Sequence, residues 1–258
     1  MEFVDTHCHL HFENYADDVE EVLSSAREAG VKRMISVGCS LDDSQLAVEF
    51  AANHQDVWAA VGAHPHDGAD FLNDPKATQK LLALLKAPRV VAVGEIGLDY
   101  YHENSSRADQ QKILRAQIEV SLSLDLPYIF HVRDSFDDFW KIFDDYKITR
   151  GVIHSFSANQ EQLDQVLARG LYVGLNGIMT FTKDESQLAA AKEVPLDKLL
   201  LETDAPFLAP KPFRGKRCEP KHVRTTAEFL AELRGQSLED LAAATTANAL
   251  ELFGLKND

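Results

Sequence analysis

Short, mostly apolar runs alternate along this chain with longer segments whose apolar positions recur every three to four residues. The short runs read as buried strands and the periodic segments as amphipathic helices. Strands are predicted at 3–7, 31–37, 57–61, 89–95, 127–131, 151–154, 170–175 and 198–202. Helices are predicted at 15–29, 41–54, around 76–86, 108–124, about 135–146, 160–168 and near 185–193. Two more, at about 222–234 and 238–253, close the chain. Val19, Val22, Leu23 and Ala26 form the stripe of the first helix, and Gly30 is its stop. Ser237 with Asp240 gives the last helix a capping-box start.

Eight strand–helix units, with strands nearly continuous in apolar residues, imply a parallel sheet with helices outside. In one chain of 258 residues this favours a closed (β/α)₈ or TIM barrel over an open doubly wound sheet. The first strand is not followed by a glycine-rich dinucleotide fingerprint, which argues against a Rossmann fold. With no composition break to mark a linker, residues 1–258 are expected to form a single barrel domain.

Chemistry enters at the strand ends. His7 and His9 close the first strand, and in extended chain both side chains project to one side, about 6–7 Å apart. The fourth strand ends at Glu95, the fifth at His131, the sixth at His154, and the eighth at Glu202 and Asp204. In a barrel these ends converge on the C-terminal face, where active sites of this fold lie. A lone histidine at a strand end is ordinarily a cap or a satisfied polar residue. Costly polar residues recurring at strand after strand point instead to a metal site. Four imidazoles (His7, His9, His131, His154) and two carboxylates (Glu95, Asp204) exceed the needs of one ion. They suit two divalent ions ~3.5–4 Å apart with one carboxylate bridging.

Composition narrows the partners. The net charge of −15 excludes a broad basic face for duplex nucleic acid, so any phosphate-bearing substrate must be held locally. Cys8, Cys39 and Cys218 are odd in number and widely spaced, which argues against a disulfide framework and for a cytoplasmic setting. The N-terminal residues carry no basic and apolar leader pattern, and no run approaches the ~20 apolar residues of a membrane span.

The segments DTHCHL, GAHPH, GEIGLDYY, PYIFHVRDS, GVIHSFS, LLLETDAPFLAP and RGKRCEP, in this order between about residues 3 and 253, resemble the TatD-type metal-dependent deoxyribonucleases of the amidohydrolase-like TIM barrels. The resemblance implies that His7, His9, Glu95 and Asp204 surround one ion. It implies that Glu95, His131 and His154 hold the second, Glu95 bridging. The four imidazoles lean toward zinc, manganese or iron, whereas the resemblance implies magnesium; zinc, manganese or magnesium is expected.

Two such ions acidify a water, and Asp204 can take its proton and later protonate the leaving oxygen. His64 is a candidate contact to the scissile phosphate, with a buried hydrogen-bonded histidine as the alternative. Glu202 and Asp5 are candidates to orient ligands from behind. Arg133, Arg214 and Arg217 could clamp a phosphate, whereas Lys216 reads as solvated. Tyr100, Tyr101, Phe181 and Phe207 could stack unpaired bases, with core packing as the alternative. Asp99 either fixes its loop or lines the mouth. The expected substrate is single-stranded DNA or frayed 3′ ends, cut in the 3′–5′ direction by a monomer. The competing reading is an esterase on the same centre, acting on D-aminoacyl-tRNA.

Overall fold

The first strand, β1 (Phe3–Cys8), is buried at every position, so both of its faces meet protein. Its polar residues enter the core with partners: Thr6 Oγ1 donates to the Leu201 carbonyl at 3.0 Å, and the Asp5 carboxylate accepts from the Thr203 amide and hydroxyl at 2.9 and 2.6 Å. In this computed structural model, which describes residues 1–102 and 104–255, β1 is followed by α1 (Val19–Glu28), β2 (Val31–Val37), α2 (Leu41–Asn53) and β3 (Val57–Val61). Then come α3 (Gly68–Asn73), α4 (Ala77–Leu85), β4 (Val90–Asp99), α5 (Arg107–Ser121), β5 (Tyr128–Arg133), α6 (Phe136–Phe143) and β6 (Gly151–Ile153). The chain closes with α7 (Gln160–Ala168), β7 (Tyr172–Leu175), α8 (Glu185–Glu193), β8 (Leu199–Leu201), α9 (Val223–Arg234) and α10 (Leu238–Phe253). The strands lie in one eight-stranded sheet in sequence order, with parallel ladders. The fold is the (β/α)₈ barrel.

The chain divides into two compact units, Met1–Ser36 with Ser155–Asp258, and Val37–His154. In the first, α10 buries Leu241, Ala242, Thr245, Asn248, Ala249 and Leu252, a helical stripe. Asn248 donates to the Leu196 and Leu199 carbonyls at 2.8 Å each, which fixes α10 on the start of β8. In the second unit α6 packs its aromatics on β5, with Phe139 and Phe143 ring centroids 5.1 and 5.8 Å from Phe130.

The helix α5 holds two loops through buried amides. Gln117 accepts from the Ala63 amide at 2.7 Å and donates to its carbonyl at 2.9 Å. Gln110, two turns earlier on the same face, does the same for Asp99 at 2.8 Å each way. A buried amide that both donates and accepts fixes a loop more strictly than an apolar contact, because losing either bond leaves a buried group unpaired.

The periodicity places most elements correctly, and the departures have physical causes. β4 does not end at Glu95: its ladder with β5 continues through Gly97↔His131, Leu98↔Val132 and Asp99↔Arg133. Gly97 permits this pairing, with φ +154° and a Cβ position only 1.8 Å from the His131 carbonyl oxygen, where any side chain would collide. The first helix begins at Val19 and not at 15, because Glu13–Tyr15 forms a separate 3₁₀ turn. The short α3 lies in a stretch without helical periodicity.

Candidate metal centre

In the first unit, His7, His9 and Asp204 come together. The backbone of β1 is joined to the segment after β8, with the Asp204 amide donating to the His7 carbonyl and the His9 amide to the Ala205 carbonyl, both at 2.8 Å. This places Asp204 Oδ1 3.4 Å from His9 Nε2 and 3.7 Å from His7 Nε2. The His9 ring is stacked on Phe12, centroids 4.7 Å apart at 20°, which sets its plane. Asp204 sits in left-handed backbone at φ +59°, a conformation disfavoured for a residue with a Cβ and held here by those two hydrogen bonds.

The carboxylates of Asp5 and Glu202 bond the neighbouring backbone. Asp5 accepts from the His7 amide at 3.3 Å and grips Thr203, the residue between Glu202 and Asp204. Burial pushes its carboxyl up to about 8, opposed by the Thr203 hydrogen bonds. Glu202 Oε1 accepts from the Ser155 amide at 2.7 Å and from Asn176 Nδ2 at 3.2 Å. Gly174 makes room for it, since a Cβ there would stand 2.3 Å from Glu202 Oε2. In the sequence nothing separates Asn176 from a loop asparagine.

In the second unit, Glu95 is buried and surrounded by imidazoles. Its Oε1 lies 2.9 Å from His131 Nδ1, 3.6 Å from His154 Nε2 and 3.7 Å from His64 Nε2. His154 follows the end of β6, its amide donating to the Phe130 carbonyl at 2.9 Å. His131 faces two carboxylates, with Nε2 3.1 Å from Asp99 Oδ2. Burial opposes charge on both partners, yet the hydrogen bonds win. Asp99 is held well below the usual carboxylate range by His131 and by the His102 amide and ring, and His131 is raised by Asp99 and Glu95. His64 moves the other way: burial lowers it to about 3, so its imidazole is neutral.

These donors fit divalent ions. His64, Glu95 and His131 present ligand atoms within 4.8 Å of one another. A carboxylate with imidazoles suits zinc or manganese. His64 is the exception within that group. Its Nδ1 accepts from the His66 amide at 3.2 Å, which puts the ring proton on Nε2 and removes the lone pair a metal would need there.

The basic and aromatic residues named from the sequence divide. Arg133 lies over the Tyr101 ring at 4.0 Å, and Arg214 over Phe181 at 3.8 Å. Arg217 is committed elsewhere, with a bidentate pair to Asp18 at 2.9 and 2.6 Å and a further contact to Glu219 at 3.4 Å. Tyr100 is tied through its hydroxyl to Asp138 and Gln111, while Tyr101 and Phe207 are more than half exposed.

A (β/α)₈ barrel whose strand ends carry buried imidazole and carboxylate clusters is the architecture of a metal-dependent hydrolase. The family model of TatD related DNases matches residues 4–254, and the chain belongs to that family. It is 37% identical to the uncharacterized metal-dependent hydrolase YabD of Bacillus subtilis over 96% of this chain and 98% of that one. With the 3′-5′ ssDNA/RNA exonuclease TatD of Citrobacter rodentium it shares 34% over 93% of this chain and 94% of the relative. The crystal structure of YJJV, a TatD homolog from Escherichia coli K12, superimposes with a TM-score of 0.92 at 31% identity, covering 98% of both chains. The protein is a metal-dependent hydrolase. Among the described residues no helix is long and apolar enough to cross a membrane.

Proposed function

We propose that this hydrolase cleaves phosphodiester bonds of single-stranded DNA or frayed ends, from the 3′ end, on two divalent ions. The observation that carries the reading is Glu95, a buried carboxylate with three imidazoles within 3.7 Å. In the first unit His7, His9 and Asp204 would hold one ion, and in the second Glu95, His131 and His154 the other. When bound, such ions polarise a phosphoryl oxygen and acidify water. Because one family model spans 4–254, we take the whole chain as a single catalytic domain. The name of the Citrobacter relative supports a nucleic-acid strand as substrate. The three free thiols favour a cytoplasmic enzyme, which we take to act as a monomer.

The protein's own groups then have distinct tasks. Asp204, partly open to solvent, accepts the proton of the attacking water and returns it to the leaving oxygen. His64, neutral and protonated on Nε2, donates a hydrogen bond to a phosphoryl oxygen, where charge accumulates. Glu202 and Asp5 hold the backbone beside the ligands. Arg133 and Arg214 contact flanking phosphates; Arg217 would have to leave Asp18 to join them. Exposed Tyr101 and Phe207 offer faces for unpaired bases.

The test is digestion of single strands labelled at the 3′ or the 5′ end with zinc, manganese or magnesium. Early release of the 3′ label as mononucleotide is expected. Absence of digestion with any metal, together with release of amino acid from D-aminoacyl-tRNA, would overturn the nuclease reading in favour of the esterase.

A further inference from the structure

Asp99 takes part in a second cluster that the assigned centre does not use. Its Oδ2 lies 3.1 Å from His66 Nε2, 3.3 Å from His102 Nδ1 and 3.1 Å from His131 Nε2. Three imidazole nitrogens therefore converge on one carboxylate oxygen, which has two lone pairs. The other oxygen, Oδ1, is occupied by the Tyr101 and His102 amides at 2.9 and 3.0 Å. His131 accounts for one of the three contacts, since its Nε2–H donates to Asp99 while its Nδ1 faces Glu95. His66 and His102 remain, both aimed at the same oxygen, with ring planes 78° apart.

We propose that His66, Asp99 and His102 form an additional cation site of the zinc class, beside the centre built on Glu95. The three donor atoms lie within 4.8 Å of one another. Zinc bonds of about 2.0–2.1 Å to nitrogen and oxygen in a tetrahedron require donors roughly 3.3–3.4 Å apart. The separations of 3.1 and 3.3 Å from Asp99 Oδ2 are already close to that edge. Two imidazoles with one carboxylate select zinc or cobalt over magnesium, which prefers all-oxygen ligands.

The neighbouring structure holds Asp99 in place. Gln110 bonds both its amide and its carbonyl, and the buried carboxylate is only 1% exposed. The histidines keep access to solvent, at 26% for His66 and 44% for His102. With three protein donors, a fourth position is left on that open side for water or an anionic oxygen, the group that a phosphate ligand supplies. The ion would be exchangeable and more easily lost than one enclosed by protein. The His131 Nε2–H bond to Asp99 would keep this carboxylate in register with the Glu95 centre.

The inference does not depend on the reaction assigned above. Its test is zinc-edge anomalous diffraction from zinc-soaked crystals, together with zinc counted by mass spectrometry at equilibrium dialysis against zinc buffer, for the native protein and for His102→Ala and His66→Ala. The expected result is a peak about 2.1 Å from Asp99 Oδ2, His66 Nε2 and His102 Nδ1. Each variant should bind one zinc fewer per chain, with an unchanged thermal melt of the zinc-free protein and with peaks at Glu95 retained. No peak at Asp99 in crystals whose Glu95 centre is occupied, or an equal zinc count in His102→Ala, would overturn the site and leave the cluster as a hydrogen-bonded network. A peak at Asp99 with none at Glu95 would sustain this inference while removing the binuclear reading.

Discussion

Asp204 concentrates the chemistry of the first unit in one side chain. Its carboxylate faces two imidazoles, its backbone is held left-handed, and its side chain keeps 16% exposure, so a water can reach it. On the function proposed above, Asp204→Asn keeps the shape and removes both the base and a ligand charge. We expect turnover to fall by roughly 10²–10⁴-fold from loss of the base alone, with the melting temperature of the metal-free protein little changed. Near-native turnover of this variant, measured on a labelled single strand, would remove Asp204 from the mechanism. The histidines and carboxylates that the structure gathers at the strand ends were legible in the sequence because each interrupts an apolar run at its end. His66, His102 and Asn176 were not, because they lie in turns whose company is decided by tertiary packing. Asp99 carried a partial signal: Glu95, Gly97 and Asp99 share a face of β4 by alternation, but only if the strand continues past Glu95.

At the scale of elements, lengths were readable where composition sets them and not where pairing does. β2, β3, α7, α8 and α10 lie where periodicity puts them, since each is bounded by a cap or turn residue. The extensions of β4 and β5 come from their mutual ladder, which no local pattern encodes. The entry to α9 shows a junction whose stability depends on pH. His222 Nδ1 accepts from the Glu219 amide at 3.1 Å, in a reciprocal cap, and its ring stacks on Phe213 at 4.4 Å. Burial lowers His222 from 6.5 to about 4, so the folded state prefers the neutral ring. For a histidine lowered on folding, the unfolded chain takes up the proton first. The stability contributed by the neutral ring is therefore whole above pH 6.5 and is lost as pH falls toward 4. The loss should be on the order of 2–3 kcal/mol. Urea melts in EDTA at pH 7 and pH 4.5 should show a smaller difference for His222→Asn, whose side-chain oxygen accepts without titrating. An equal difference in both proteins would show that His222 does not carry this dependence.

For the whole molecule, charge and site pull in different directions. A chain of net charge −15 repels a polyanion at long range, and the repulsion grows with the number of phosphates brought near. A duplex lying along the surface meets that field over many base pairs. On the proposed reading a single strand would bring only one end to the ions, and the exposed Tyr101 and Phe207 would be open to unpaired bases. Each stacked base contributes ~1–3 kcal/mol irrespective of sequence, which favours the unpaired strand over blunt duplex. Arg217 is tied to Asp18, so Arg133 and Arg214 are the two arginines left to meet backbone phosphates. The dependence of affinity on salt should then be shallow, with a slope corresponding to about two phosphates. Side-by-side binding and digestion of matched single and double strands from 50 to 200 mM salt (roughly the range over which multi-phosphate binders weaken by ~10³-fold or more) tests this. A steep slope, or equal rates on both substrates, would mean that the strand is held along an extended basic track, and the end-directed reading would fall with it.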